Sequence, residues 1–152
     1  MNDQPPEGDH ESGADVRRPV LHTTLRRLFT RLTPHTVPCV FRYSMDDPFA
    51  VALDVAPTPR TSVTWTVARD LLAQGMTRPS GEGDFRVWSS GAHQDADRCL
   101  YFSLDRPAGH VTFEADLLPI QSWLDATYEL VPSGSESDLV DWRALEASLL
   151  GN

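Results

Sequence analysis

Between Cys39 and Leu117 one pattern recurs, and it limits the fold more than any other feature: short apolar runs of period two, separated by turn residues. "CVFRYS" sets Cys39, Phe41 and Tyr43 against Val40, Arg42 and Ser44. "FAVALDV" places Phe49, Val51, Leu53 and Val55 on one face, and "SVTWTV" groups Val63, Trp65 and Val67. "DFRVW" and "RCLYFSL" continue the pattern, and "HVTFEADL" closes it with Val111, Phe113, Ala115 and Leu117. "MDDP" reads as a turn, because Asp accepts local backbone hydrogen bonds and Pro48 presets its own φ. Pro57 and Pro59 break the next link, and "DRPAG" is a hairpin connection. Alternation of this kind predicts an antiparallel sheet with one buried and one wetter face.

Helical signals are fewer. Ala68 to Gln74 is a short helix with Gly75 as its stop. Leu118 to Leu130 carries a stripe of Ile120, Trp123, Leu124, Thr127 and Tyr128, with Pro119 in its first turn. A third helix is expected after "SGSES", with Ser137 or Asp138 as N-cap and Trp142, Leu145 and Leu149 as its apolar stripe. Residues 20–32 support two readings. Leu21, Leu25, Leu28, Phe29 and Leu32 have helical spacing, while the Thr and Val content suits a strand. Strands first and paired helices last define an α+β domain. Residues 1 to about 19 are polar and rich in Pro and Gly, so a disordered tail is expected there and the domain over 20–152.

The formal net charge of -9 repels phosphate backbones and acidic lipid surfaces. All basic residues are Arg, a bias of the kind a GC-rich genome imposes, so their number is no argument for phosphate binding. No apolar run approaches the roughly 20 residues of a membrane span. "MNDQPPEGDHESGADVRR" lacks the apolar core of a secretory signal, so a cytoplasmic location is expected. Cys39 and Cys99 sit in strand-like runs outside any CxxC and are expected as buried free thiols.

Catalytic signatures do not emerge, and no cofactor is implied. "PSGEGD" holds Gly81 and Gly83 but lacks the GK[ST] of a phosphate loop, and Glu82 and Asp84 would face an anion with like charge. The glycines read instead as positive-φ turn residues. His10, His22, His35, His93 and His110 are scattered without metal-ligand spacing. Asp46 and Asp47 are adjacent and point apart in extended chain, so a turn outweighs a glycosidase pair. No GxSxG surrounds a serine. Tyr43, Trp65, Trp88 and Tyr101, with Arg42 and Arg86 beside them, could offer base-stacking platforms for single-stranded nucleic acid. Core packing is the better reading at this net charge.

One stretch is more specific. Trp65 to Trp88 reads W-x-x-A-R-D-L-L-x-x-G-x-x-R-P-x-G-x-G-D-x-R-V-W and closely resembles the signature of the SsgA-like proteins, which act in sporulation and cell division of filamentous actinomycetes. "RYSMDDPFAV" is similar to the family's R-Y-x-x-x-D-P-Y-A-V segment, with Phe49 in place of Tyr, and "LVP" at Leu130 to Pro132 also fits. The resemblance covers about residues 20–150. Matched motif positions are Asp47, Pro48, Trp65, Arg69, Asp70, Gly75, Arg78, Pro79, Gly83, Asp84, Arg86 and Trp88. "GAHQDADR" reads as a solvated loop.

The resemblance implies a strongly bent antiparallel sheet of Whirly-like architecture, with a short helix in the central crossover and two C-terminal helices. It favours a strand over 20–32. It implies a non-catalytic adaptor at the cell septum, a homo-oligomer (a trimer), with division-machinery partners such as FtsZ or a family paralogue. Single-stranded nucleic-acid binding is the alternative by fold analogy. Arg69, Asp70, Arg78, Asp84 and Arg86 are expected to form a local ion-pair set bracing the corner, in preference to direct partner contact.

Overall fold

The computed structural model describes residues 18–31, 35–81, 83–90, 98–107 and 109–151. The expected tail lies outside the described residues except at 18 and 19, and so does "GAHQDADR" except for Arg98. The strands are β1 (Val20–Leu28), β2 (Thr36–Arg42), β3 (Ala50–Thr58), β4 (Thr61–Ala68), β5 (Phe85–Ser89), β6 (Cys99–Arg106) and β7 (Gly109–Asp116). The helices are α1 (Arg69–Gly75), α2 (Leu117–Leu130) and α3 (Trp142–Leu149), with a 3-10 turn at Glu136–Leu139 between the last two.

All strand pairs are antiparallel, in the order β4-β3-β2-β1-β7-β6-β5. The chain runs outward from β1 to the β4 edge, crosses through α1, and returns from the β5 edge to close on β1 through β7. That crossover forces the sheet to curl. Six gaps of about 4.8 Å would separate the edges of a flat seven-stranded sheet by about 29 Å. A seven-residue helix spans only about 10 Å, yet α1 packs against both β4 and β5. The result is a half-barrel with edges drawn toward one another.

The concave face is the core. Leu25, Val37, Phe41, Leu53, Phe102 and Leu104 lie there, and α2 covers part of it through Ile120, Trp123 and Leu124. Trp123 meets Phe41 edge-on at 5.5 Å between ring centroids. Residues 20–28 are a strand, which meets the expectation over 20–32 only in its first part, since 29–31 lie beyond the strand. β1 lies at the centre of the sheet, paired on both sides, so its backbone bonds and the burial of Leu25 override the helical spacing. Pro57 lies inside β3, where the β3–β4 register shifts between Val55 and Thr58.

Some expectations change at the C-terminal end and at the thiols. The N-cap of α3 is Asp141, not Ser137 or Asp138; its Oδ1 accepts from the Ala144 N–H at 3.0 Å, while Glu136 to Leu139 are taken up by the 3-10 turn. The Trp142, Leu145 and Leu149 stripe is left exposed. Cys39 is buried and Cys99 only half-buried, and neither is in a disulfide. Burial pushes the Cys39 thiol up to about 12, so it forms no thiolate at neutral pH.

The α1–β5 contact requires Gly75. A Cβ there would run into the Val87 side chain. Gly75→Ala is expected to lower stability by about 1–3 kcal/mol through overpacking, read by chemical denaturation.

Candidate functional site

The motif Asp-Pro and Arg-Asp pairs meet where β4 turns into α1. Asp47 N–H donates to the Ser44 carbonyl, and the Asp47 carbonyl accepts from Ala50, which closes the expected turn. The Pro48 carbonyl accepts from the buried Tyr43 hydroxyl at 2.9 Å. Phe49 then offers its carbonyl to the Arg69 N–H at 2.8 Å, so the turn and the start of α1 are joined.

Arg69 points inward and is fully buried. Nη1 donates to the Thr127 carbonyl at 3.0 Å, and Nη2 donates to Glu136 Oε1 at 2.7 Å. The guanidinium carbon stands 4.0 Å from the Tyr128 ring centroid and 4.9 Å from that of Tyr43. Asp70 accepts from the Tyr128 hydroxyl at 2.6 Å. Glu136 Oε2 accepts from the Gly134 N–H at 2.8 Å, so both carboxylate oxygens are engaged. Arg69 Nε has no partner, a desolvation cost that the two charged bonds and two ring contacts offset.

This differs from the expected local ion-pair set. Arg69 pairs with Glu136, 67 positions away, and Asp70 with Tyr128. Arg78, Asp84 and Arg86 are exposed and make no ion pair among the described residues. Tyr43, Thr127, Tyr128 and Glu136 were not singled out for this role. An arginine lying on a motif that otherwise folds inward signals the need for a buried acceptor, but spacing alone does not identify Glu136.

The remaining motif residues gather around β5. Ser80 and Val87 exchange both backbone hydrogen bonds at 2.9 Å, which folds the Arg78–Asp84 turn against that strand. Gly81, at φ 105°, and Gly83, at φ 69°, supply the left-handed positions expected of them. Pro79 and Arg86 are exposed, and the Trp88 ring stacks on Tyr101 at 5.8 Å. Trp65 stands apart on β4, half-buried, with the Arg106 guanidinium 4.6 Å above its ring. Among the described residues no group of three or more His, Cys, Asp or Glu side chains could hold a metal ion.

Titration follows the same geometry. Its own backbone N–H, then the Arg69 guanidinium, hold the Glu136 carboxyl below the usual carboxylate range. Burial and the Asp70 bond push the Tyr128 hydroxyl well above its ordinary range, so it remains a donor. On the outer face the Arg26 guanidinium holds Glu114 down through a 2.7 Å bond.

The motif residues therefore sit on a curled antiparallel sheet whose crossover is clamped by a buried arginine. The family model described as Streptomyces sporulation and cell division protein, SsgA, matches residues 37–136, and this chain belongs to that family. Over 108 residues it is 43% identical to the sporulation-specific cell division protein SsgB of Thermobifida fusca, covering 69% of this chain and 76% of that protein. With the SsgB of Frankia casuarinae the identity is 38% over 117 residues, 77% and 80% of the two chains. The crystal structure of an SsgA-like sporulation-specific cell division protein from Thermobifida fusca superposes with a TM-score of 0.75 at 34% identity, over 86% of this chain and 94% of that one. A solved SsgB from Streptomyces coelicolor gives a TM-score of 0.74 at 33% identity, over 81% and 95%; mutations in that protein correlate to longitudinal cell division during sporulation.

Arg69→Ala leaves Glu136 buried without its cation and is expected to lower the melting temperature by about 10 °C, whereas Tyr128→Phe, losing one hydroxyl bond, costs about 1 kcal/mol. Because the folded-state Glu136 carboxyl titrates below its unfolded value, its stabilisation is complete above about pH 4.3 and is lost as pH falls further. Melting scans between about pH 3 and 6 should show a shallower acid decline in Glu136→Gln than in the parent chain.

Proposed function

We propose that this protein is a non-catalytic adaptor of sporulation-specific cell division and septum placement, working in the cytoplasm at the septum by binding a division-machinery protein. The partner is FtsZ, one of its recruiters or a family paralogue, and the adaptor is a homo-oligomer, a trimer by family resemblance. Support comes first from the relatives, which are named sporulation-specific cell division proteins.

The observation that carries the docking site is the division of the motif into two halves. Arg69 and Asp70 are engaged inside the molecule. Arg78, Pro79, Asp84 and Arg86 face solvent around β5, without an ion pair among the described residues and with Trp88 alongside. Surface charges with no ion-pair partner among the described residues, flanking the Ser80–Val87 backbone bridge, are placed for contact with another protein.

Single-stranded nucleic-acid binding has less support. Tyr43 is buried under Arg69, Trp88 is stacked on Tyr101, and Arg106 covers Trp65. The net charge of -9 opposes a phosphate backbone.

The test is the double charge reversal Arg78→Glu with Arg86→Glu. The variant is expected to melt at the parental temperature, to bind purified FtsZ or the paralogue at least about tenfold more weakly, and to leave the septum in fluorescence images. Parental binding and septal placement in that variant would remove the motif turn as the docking site.

A further inference from the structure

The two edges of the half-barrel are finished differently. On β5, Val87 spends its outward N–H and carbonyl on Ser80, so the motif turn caps that strand. β4 has no such cover. The Arg69 N–H bond to the Phe49 carbonyl fixes the hydrogen-bonding phase of the β3–β4 ladder. Stepping back two residues at a time, Val67, Trp65 and Val63 bond to β3, and Thr64 and Thr66 turn their N–H and carbonyl groups away from it. Among the described residues nothing pairs with those groups. The strand reads "TSVTWTVA": no charge, no proline, high β-propensity. Edges left alone in water normally carry lysine, proline or a bulge that discourages pairing. This edge is built to be paired.

The face beneath it specifies what pairs. Val63 and Trp65 of β4 form one wall of a half-open cavity of about 350 Å³ on the concave face, with Val55, Leu104, Val111 and Phe113 opposite and below. Its size and apolar lining suit side chains or a small ligand. No carboxylate lines it, whereas Arg27 and Arg106 do, and neither makes an ion pair among the described residues. At its rim Phe29 is 95% exposed and held at φ 54°, an unusual conformation for a bulky residue and a large apolar surface left in water.

We infer that β4 and this cavity form a second docking site that takes an extended acidic–apolar peptide of a partner protein by strand addition. The peptide backbone pairs with Thr64 and Thr66. Its inward side chains at every second position enter the cavity, and an Asp or Glu among them meets Arg27 and Arg106. Charge selects this occupant over a second copy of the chain: edge-to-edge pairing of two β4 strands brings no carboxylate from either strand and places arginines near arginines. The site is separate from the motif turn and stands or falls independently of it.

The test uses the full chain, uniformly labelled with nitrogen-15, and an acetylated, amidated octapeptide alternating valine with serine, with aspartate replacing one central valine. A control peptide has lysine there. The aspartate peptide is expected to slow amide exchange of Thr64 and Thr66 and to bind at least about tenfold more tightly than the lysine peptide, a preference that weakens with salt. Arg106→Glu should invert the preference, and Thr66→Pro, which removes only an outward donor, should abolish protection with the melting temperature retained. No protection at about 1 mM peptide, equal binding of both peptides, or protection of β4 that appears with protein concentration alone would overturn the proposal. The last result would assign the edge to a second copy.

Discussion

One buried guanidinium holds the ends of this fold together. Arg69 begins the helix that must reach from one edge of the sheet to the other, and its side chain passes inward to the end of α2 and the turn beyond it. Lysine could not replace it there. A planar fork can direct one N–H to the Thr127 carbonyl and another to Glu136 while it stays close to two tyrosine rings. The flanking groups are fixed in turn: Tyr43 by Pro48, Tyr128 by Asp70 and Glu136 by Gly134. Three segments distant in sequence, 43–49, 69–70 and 127–136, therefore meet at a single charge. The apolar core supplies the bulk of the burial, but it does not by itself specify where the crossover begins.

Legibility of the sequence followed the range of the forces involved. Period-two alternation located the strands because each strand obeys its own pleat; the short helix was legible too, but Gly75 is its last helical residue and not its stop, since the C-cap is Met76 and Gly75 serves the close approach to Val87. β1 was ambiguous in isolation, since Leu21, Leu25 and Leu28 have helical spacing while the Thr and Val content suits a strand; pairing with β2 and β7 settles it, and that is information from other parts of the chain. The N-cap of α3 was misplaced by three or four residues because Ser137 and Asp138 are good caps that a 3-10 turn had already taken. The partner of Arg69 was invisible for a similar reason. Glu136 sits among several acidic residues of the C-terminal stretch, and only the return of α2 over the concave face selects it.

The surface divides according to what the fold has used. The outer face of the sheet is tied by short-range ion pairs, Arg26 with Glu114 and Asp116, and Arg42 with Asp54, all at least partly solvated and worth little to stability. The motif turn caps β5, and the charges it carries outward have no role inside. The same family signature thus does two jobs in sequence order: its first half closes the molecule and its second half faces outward. The relatives of this chain are named cell division proteins, and for the docking proposed above, groups already fixed on strands and on a bridged turn would lose little conformational entropy when a partner binds.

The Arg69–Glu136 contact is more than one stabilising bond among many: it holds the start of the crossover whose short reach curls the sheet, and so fixes how closely the two edges approach. Spin labels at the exposed positions Thr64 on β4 and Arg86 on β5 report the separation of the two edges through a pulsed dipolar measurement. A single narrow distance distribution is expected in the otherwise unmodified chain. In Glu136→Gln, under conditions where the protein is still folded, the distribution should shift to longer distances and broaden. An unchanged distribution in the folded variant would show that apolar packing alone sets the curl, and would contradict this account.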